Sequence, residues 1–395
     1  MRKNIKKQPG VLLLICLVGF PQISETIFTP SLPQIASAYG VSMSTAQLTL
    51  SVYFLAFAFG VFAWGWLSDS IGRRKAMNYG ILMYGVGSLM CYLSGSITGL
   101  LVARFIQAFG ASTGSITTQT ILRESYEGNE RHQLFAKISA ALAFTPAIGP
   151  LIGGFVGQAQ GYRAVFFTLV LMSIGIFIYS YVSLPETFTP SKSQQKVSIL
   201  EVAKRLITNP RVITFGIIIG GINGLLFSYY AEAPFVFIEQ FGLSQSRYGF
   251  LGIVIALATV LGSLLSKQLL SRFKPERIIR LGLSVALVGA IVLLGVSYLF
   301  SELPLVQMIA YIISVFVMLV GTGIALPNCL SLALVDFKDV VGTAGALFSL
   351  GYYLLVSACT FMMSVLHNGS LLTLPLYFIA LLVIQLGLSK RYIKE

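Results

Sequence analysis

Nearly uncharged apolar runs recur along almost the whole chain, each close to the roughly 20 residues that an α-helix needs to cross a bilayer. Twelve such runs can be drawn, at residues 11–33, 46–68, 77–95, 98–120, 134–156, 164–184, 212–235, 247–270, 280–300, 305–327, 343–366 and 371–389. A chain of this kind has lipid as its solvent. In lipid every backbone N–H and C=O must be satisfied within the protein, which restricts spanning segments to helices or closed barrels. Runs of this length select helices. Composition agrees: hydrophobic residues make up 56%, charged residues 10%, and the mean hydropathy is +0.83. So little charge does not cover the surface of a water-soluble domain. The expected fold is an all-α membrane protein of twelve transmembrane helices.

The formal charge of +13 does not point to nucleic acid, because the basic residues sit in the short connections between apolar runs. Of the 27 lysines and arginines, 24 fall at the termini or in the connections on the termini's side. They include Arg2, Lys3, Lys6, Lys7, Arg73, Arg74, Lys75, Lys192, Lys196 and Lys394. Only Arg163 and Arg247 lie on the opposite side, and Arg104 lies within a run. Basic residues concentrate in cytoplasmic loops, so both termini are expected in the cytoplasm. The first run follows a basic stretch, as a signal peptide does. Its Pro21, Glu25, Pro30 and Pro33, with no small-residue cleavage site, instead suggest a retained first helix. The cysteines Cys16, Cys91, Cys329 and Cys359 are isolated and suggest neither zinc nor a disulfide framework.

The longest polar connection, residues 185–211, divides the chain into 1–184 and 212–395, six runs each. An internal repeat supports that division. Gly40-Val41-Ser42-Met43-Ser44 precedes the second run, and Gly242-Leu243-Ser244-Gln245-Ser246, 202 positions later, precedes the eighth. The same offset relates Gly60 to Gly262. Two six-helix bundles related by a pseudo-two-fold axis, enclosing a central site, are the expected architecture.

Three charged residues sit well inside the runs: Glu25, Arg104 and Glu232. A charge at the bilayer centre costs at least about 3 kcal/mol, so each is expected to face a cavity or a partner. Glu25 lies roughly 21 Å along the first run at 1.5 Å per residue, somewhat past the midplane. A carboxyl that is neutral in one state and ionised in another can couple a proton to substrate movement. It can equally attract a cationic substrate or make a structural hydrogen bond. Arg104 stays charged and is expected to hold a carboxylate or backbone carbonyls. Glu232 falls near the level of Pro30, outward of Glu25, either in the substrate path or at the rim. Phenol and amide groups nearby in the sequence are the candidate substrate contacts: Gln22, Tyr53, Asn223, Tyr229, Tyr230, Asn328, Tyr352 and Tyr353, with Glu232. Such groups among abundant Phe suit an amphipathic or aromatic ligand.

Two further strings carry physical meaning. Gly65-Trp66-Leu67-Ser68-Asp69-Ser70-Ile71-Gly72-Arg73-Arg74-Lys75 ends the second run. Gly72 permits a sharp turn, and Asp69 can pair with a basic residue or sit at a helix N-terminus. Gly65, Asp69, Gly72, Arg73 and Arg74 are therefore candidates for a latch on helix ends. In Pro146-Ala147-Ile148-Gly149-Pro150-Leu151-Ile152-Gly153-Gly154, the glycines Gly149, Gly153 and Gly157 recur every four residues. They form a smooth stripe for close helix approach, beside prolines that permit a bend.

The first string resembles the loop signature of the major facilitator superfamily. Arg104-Phe105-Ile106-Gln107-Ala108-Phe109-Gly110-Ala111 resembles that family's fourth-helix motif, and Ala147 to Gly154 its fifth-helix antiporter motif. Thr29-Pro30-Ser31-Leu32-Pro33, Gln47-Leu48-Thr49-Leu50-Ser51 and Ala233-Pro234-Phe235-Val236-Phe237-Ile238-Glu239 resemble the Bcr/CflA branch of drug-resistance exporters. The sequence departs from that pattern in three places. Glu25 stands one residue before the branch's usual Asp position, which is Thr26 here. Ala108 replaces a Gly, and the Lys267 to Arg280 loop lacks an Asp-Gly-Arg core. The resemblance implies alternating access and export of drugs or metabolites by proton antiport, from a bacterial cytoplasmic (inner) membrane. It also implies a proton-coupling role for Arg104 with Glu25, and a seal against ion leakage from Pro146, Gly149, Pro150, Gly153 and Gly154.

Rival classes fare less well. Proton-coupled uptake, or siderophore or metabolite transport, in the same fold is the alternative, and the fifth-helix motif weighs against uptake. With only His132 and His367, and no H-E-x-x-H or phosphate loop, neither a membrane-embedded enzyme nor a nucleotide-driven pump is expected. No cofactor or metal is expected beyond the proton as coupling ion. The expected partners are the lipid bilayer, protons and a small-molecule substrate. One chain holds both halves of a pathway, so a functional monomer is expected.

Overall fold

The computed structural model describes residues 8–126, 128–188, 198–299 and 302–393. Of the basic residues used for orientation, Arg2, Lys3, Lys6, Lys7, Lys192, Lys196 and Lys394 lie outside the described residues. The chain is helical almost throughout. The first bundle comprises α1 (Val11–Thr26), α2 (Leu32–Tyr39), α3 (Met43–Ile71), α4 (Arg73–Leu93), α5 (Ile97–Ser125), α6 (Gly128–Leu142), α7 (Thr145–Gln160) and α8 (Tyr162–Ser183). A short helix, α9 (Ile199–Ile207), follows. The second bundle comprises α10 (Pro210–Pro234), α11 (Gln245–Gly249), α12 (Leu251–Leu269), α13 (Pro275–Leu299), α14 (Pro304–Leu332), α15 (Val341–Leu366) and α16 (Thr373–Tyr392).

Among the described residues, nine helical segments are long and apolar enough to cross a membrane by themselves. The remaining crossings are α4, α5 and the α6–α7 pair. Helix α5 can be polar because it is enclosed between α3 and α4: Arg104, Gln107, Ser112, Thr113, Thr117 and Thr118 are all buried. With these, the structure has the twelve transmembrane helices in two six-helix bundles that the apolar runs predict.

Two crossings expected as single helices are broken. The first run continues to Tyr39 rather than stopping at 33. It is interrupted after Thr26, where a 3-10 turn at Thr29–Ser31 leads into α2. Proline accounts for the break: Pro30 and Pro33 have no N–H to give to a continuing ladder. The fifth run breaks between α6 and α7, where Pro146 opens α7 in the first turn, a position that tolerates proline. Helix α10 likewise ends at Pro234 and passes into a π-helical turn at Phe235–Gln240.

The repeat is visible as matched local geometry. Gly40 and Gly242 both take left-handed φ values, +62° and +69°, which glycine adopts without steric cost. Each is followed by a serine that caps the next helix. Ser42 accepts from the Thr45 N–H at 3.2 Å, and Ser244 from the Arg247 N–H at 3.3 Å. Gly60 lies against α5 where Gly262 lies against α14, and Gly87 and Gly289 make the same pair of crossings from α4 and α13.

Residues 185–211 are more than a linker. Glu186 folds back to accept from the backbone N–H groups of Arg73 and Arg74, at 2.9 and 3.2 Å, at the start of α4. Helix α9 buries Val202 and Leu206 against Val212, Phe337 and Val340, while Leu200 and Ile207 are 80% and 70% exposed. An amphipathic helix of this kind is suited to a membrane interface.

Candidate functional site

The bundles touch at one end only. On α3 and α15 the bonds run from Ser44 Oγ to the Ser364 carbonyl (2.5 Å) down to Ser357 Oγ and the Ser51 carbonyl (2.8 Å). The rings of Phe57 and Tyr353, 4.8 Å apart, come last. Across the other side of the pathway, the Tyr230 hydroxyl donates to the Pro146 carbonyl at 3.1 Å. The Ser246 N–H donates to Gln158 Oε1 at 2.9 Å. From the Phe57 level toward the ends rich in Lys and Arg, no hydrogen bond or ring contact joins the bundles among the described residues. Gly342 and Gly345 of α15 have no neighbouring atom within 4 Å of where a Cβ would stand. The pathway is therefore sealed at the end away from the termini and open at the basic end.

Glu25 lies in the last turn of α1, just before the break, and is 6% exposed. Its carboxylate has no hydrogen-bond or ion-pair partner among the described residues. Tyr53 of the first bundle and Tyr230, Tyr352 and Tyr353 of the second all lie within electrostatic reach of it. Arg104, fully buried on α5, is sandwiched between the rings of Phe28 and Tyr53, 4.1 and 4.3 Å from its guanidinium carbon. Its Nη1 donates to Gln107 Oε1 and reaches the Ser24 carbonyl at 3.5 Å. Gln107 is in turn held by Ser88, its Nε2 donating to the Ser88 hydroxyl at 2.8 Å. Arg104 Nε and Nη2 have no hydrogen-bond partner among the described residues. The guanidinium thus holds a backbone carbonyl and an amide rather than the expected alternative, a carboxylate, and two of its donor nitrogens stay unused beside an unpaired acid.

The other candidates divide. The rings of Tyr352 and Tyr353 lie 4.5 Å apart, tilted by 37°, and both are half-buried, with Tyr353 beside Phe57. Tyr53 and Tyr230 belong to the same cluster. Gln22 is half-buried and is held by the Thr145 hydroxyl. Asn223 donates to the Ile219 carbonyl one turn back, at 2.8 Å. Tyr229 turns into the second bundle, toward Tyr248 and Tyr311. Asn328 is not near Glu25: it is buried near the basic end of α14 and donates to Ser266 Oγ on α12 at 2.7 Å.

Glu232 stands at the seal. Both its oxygens lie 2.9 Å from His367 Nδ1, and Oε2 also accepts from Gln47 Nε2 of the first bundle at 2.7 Å. Gln47 Nε2 also reaches the Ala231 carbonyl at 3.2 Å. Sequence reading did not single out Gln47 or His367 for this. His367 is 135 positions from its partner and lies past the end of a span, so no local pattern marks it.

The glycine-rich string of α7 faces two ways. A Cβ on Gly149 or Gly153 would strike the first span, that of Gly153 meeting the Ile27 carbonyl oxygen. Gly154 instead faces α11 of the second bundle, where a Cβ would strike the Gln245 carbonyl oxygen, and the Pro150 carbonyl abuts Gly249. The contact across the seal belongs to Gly154 and Pro150, while Gly149 and Gly153 hold α7 against the broken first span.

At the basic end, Arg73 pairs with Asp69 at 2.5 Å and with Glu124 at 2.6 Å. Arg74 Nη2 donates to the Tyr181 carbonyl at 2.5 Å. Gly72 has φ +96°, and a Cβ there would lie 2.6 Å from Glu186 Oε2. Gly65 packs near Ile116. Asp69 takes the basic partner, and Glu186 takes the helix N-terminus. All these contacts lie within the first bundle and the Glu186 segment that directly follows it.

Comparison with known proteins agrees with this architecture. The family model described as Major Facilitator Superfamily matches residues 14–360. An uncharacterized transporter of Rickettsia bellii is 34% identical over 388 residues, covering 96% of this chain and 95% of that protein. A chloramphenicol resistance protein of Pseudomonas aeruginosa is 29% identical, covering 96% of this chain and 89% of that protein. Among solved structures, a D-xylose–proton symporter superposes with a TM-score of 0.76 at 15% identity, over 95% of this chain and 96% of that one. At that identity the likeness concerns the fold alone. A twelve-span, two-bundle chain that is sealed at one end and matched by this family model along most of its length is a transporter rather than an enzyme, and it belongs to the Major Facilitator Superfamily.

Proposed function

We propose that this chain exports small organic molecules by proton antiport, with Glu25 as the proton carrier and Arg104 as its charge partner. The observation that carries this reading is the unpaired Glu25 carboxylate, next to a guanidinium with two unused donor nitrogens, at the head of an open pathway. A buried N–H without an acceptor costs about 1–3 kcal/mol, so the pair has reason to form once Glu25 is ionised. In the opposite state Glu25 takes up a proton from outside, and as a neutral acid it needs no counter-charge while the bundles rock. In the state seen here, release of that proton through the open end to the cytoplasm leaves a carboxylate for Arg104 to meet as substrate loads.

The ring cluster of Tyr53, Phe57, Tyr352 and Tyr353 suits a flat or amphipathic substrate, and the chloramphenicol-resistance relative makes antibiotics a reasonable first panel. By the distribution of Lys and Arg, the open end is the cytoplasmic one, the side from which an exporter loads. The membrane would be a bacterial inner membrane, and one chain would suffice. The test is a substrate panel in everted vesicles under an imposed pH gradient, wild type against Glu25→Gln. Gradient-driven accumulation is expected in the wild type and lost in the variant. Equal pH-driven accumulation by both rejects the role of Glu25.

A further inference from the structure

The second intramembrane acid has no part in the mechanism above, yet it is the more fully engaged of the two. The Glu232 side chain is 1% exposed, and that of His367 is 10% exposed. Gln47 is the only one of the three from the first bundle, so the carboxylate is the point where α10 and His367 grip α3 across the seal. Phe235 closes one side of the imidazole, edge-on at 4.7 Å.

We infer that Glu232, His367 and Gln47 form a second proton site, which sits on the seal and unlatches the two bundles when Glu232 takes up a proton. The inference stands on the two-bundle fold and does not require the role given to Glu25.

The proton has a route. His367 Nδ1–H donates to the carboxylate, and no hydrogen bond occupies Nε2 among the described residues. A proton arriving from water at Nε2 makes an imidazolium beside a carboxylate. Transfer of the Nδ1 proton to a Glu232 oxygen then leaves a neutral imidazole and a neutral acid. The site's charge goes from −1 to 0, with one proton taken from the sealed side and none lost. Before transfer, the Gln47 amide and the imidazole both donate to an anion, and such charge-assisted bonds are roughly twice as strong as neutral ones. Afterwards both bonds are neutral, and the grip between the bundles weakens.

The surroundings leave these two groups to set the local charge. From α14, Tyr311 faces Glu232. Tyr229 and Tyr230 lie about one turn away on α10 itself, and Glu239 lies on the π-helical turn beyond. From α3, Gln47 is the partner and Asp69 is at the far end. The turn at Thr29–Ser31 and helices α2, α14 and α15 contain no Asp, Glu, Lys, Arg or His, and in α16 only Lys390 and Arg391, at the basic end, are charged.

Nitroxide labels at Ala38 on α2 and Arg247 on α11, both exposed at the sealed end, report the seal in purified protein without a gradient. Between about pH 8 and about pH 5, the range over which imidazoles usually exchange protons, acidification is expected to widen the label separation in the wild type. Glu232→Gln is expected to show the wide separation at both pH values. Gln47→Leu, which removes the grip but keeps the acid and the imidazole, is expected to widen the separation already at pH 8. A wild type whose separation ignores pH, or a Glu232→Gln protein that widens on acidification as the wild type does, overturns the inference. Glu25→Gln separates the two proposals. Retained widening there supports the second site whatever becomes of transport. Loss of widening there, with widening intact in Glu232→Gln, assigns the proton to Glu25 and overturns it.

Discussion

Glu25 and Glu232 are the same chemical group in the two bundles, each just before a proline-induced break in the first span of its bundle. One is unpaired at the head of the open pathway, and the other is bound by two partners, His367 and Gln47, in the seal. The difference comes from where the bundles meet. At the seal, α3 comes close enough to α10 for an amide to cross between them. At Glu25 the partners that would satisfy the acid, Arg104 above all, are turned to a carbonyl and an amide instead. A transporter needs both conditions in one state: a shut end held by made bonds, and an open end whose groups are free to change partners. Full satisfaction of both acids would leave nothing for a proton or a substrate to alter.

The largest expected effect that sharpens this contrast comes from two adjacent glycines of α7. Gly153→Val drives a side chain into the Ile27 carbonyl at the break beside Glu25. It is expected to cost more than about 3 kcal/mol, at the upper end of overpacking penalties, and to abolish recovery of folded protein in detergent. Gly154→Val meets only the other bundle. It is expected to yield folded, monodisperse protein that has lost the sealed arrangement, read as labelling of the central pathway from the sealed side. Equal loss of folded protein in both variants breaks the distinction between packing and sealing.

Next in size is thermal stability in detergent at neutral pH. Glu232→Gln removes charged hydrogen bonds and is expected to destabilise by about 2 kcal/mol, from the usual 1.5–3 kcal/mol for bonds to charged groups. Glu25→Gln removes an acid that has no partner and is expected to leave the melting temperature unchanged or raise it. Equal falls in melting temperature mean that Glu25 is held by contacts the geometry does not contain, and the contrast between the acids fails.

The smallest expected effect is at Arg104→Lys. The ammonium keeps the charge but loses the planar stacking on Phe28 and Tyr53, worth about 1–2 kcal/mol at a desolvated site. Melting should drop modestly, and transport should suffer more than stability does. Unchanged transport with unchanged melting shows that the flat guanidinium is not used.

Much of this was legible in the linear pattern, and the parts that were not share a cause. The spans could be read because a bilayer demands about 20 apolar residues at each crossing, a local requirement that each segment meets alone. The matched turns at Gly40 and Gly242 could be read for the same reason. Helix α9 was legible but missed: Ile199, Val202, Ala203, Leu206 and Ile207 follow helical spacing within a stretch read as linker. The break after Thr26 was signalled by Pro30 and Pro33, although where the chain would resume was not. The pairing of Glu232 with His367 and Gln47 was not legible, nor were the opposite directions taken by Gly153 and Gly154. One residue turns a helix by about 100°, so which bundle a glycine faces depends on where α7 sits, not on its neighbours in the chain.

The sequence by itself determined the number of crossings, the caps that end them and the few polar groups carried into lipid, because each follows from a short segment's own exchange with its solvent. Which acid is bound and which is free was decided only in the tertiary structure. Hydrogen bonds of about 3 Å and carbonyl contacts of about the same length depend on the relative placement of whole bundles, and segments far apart in the chain carry no mark of that placement.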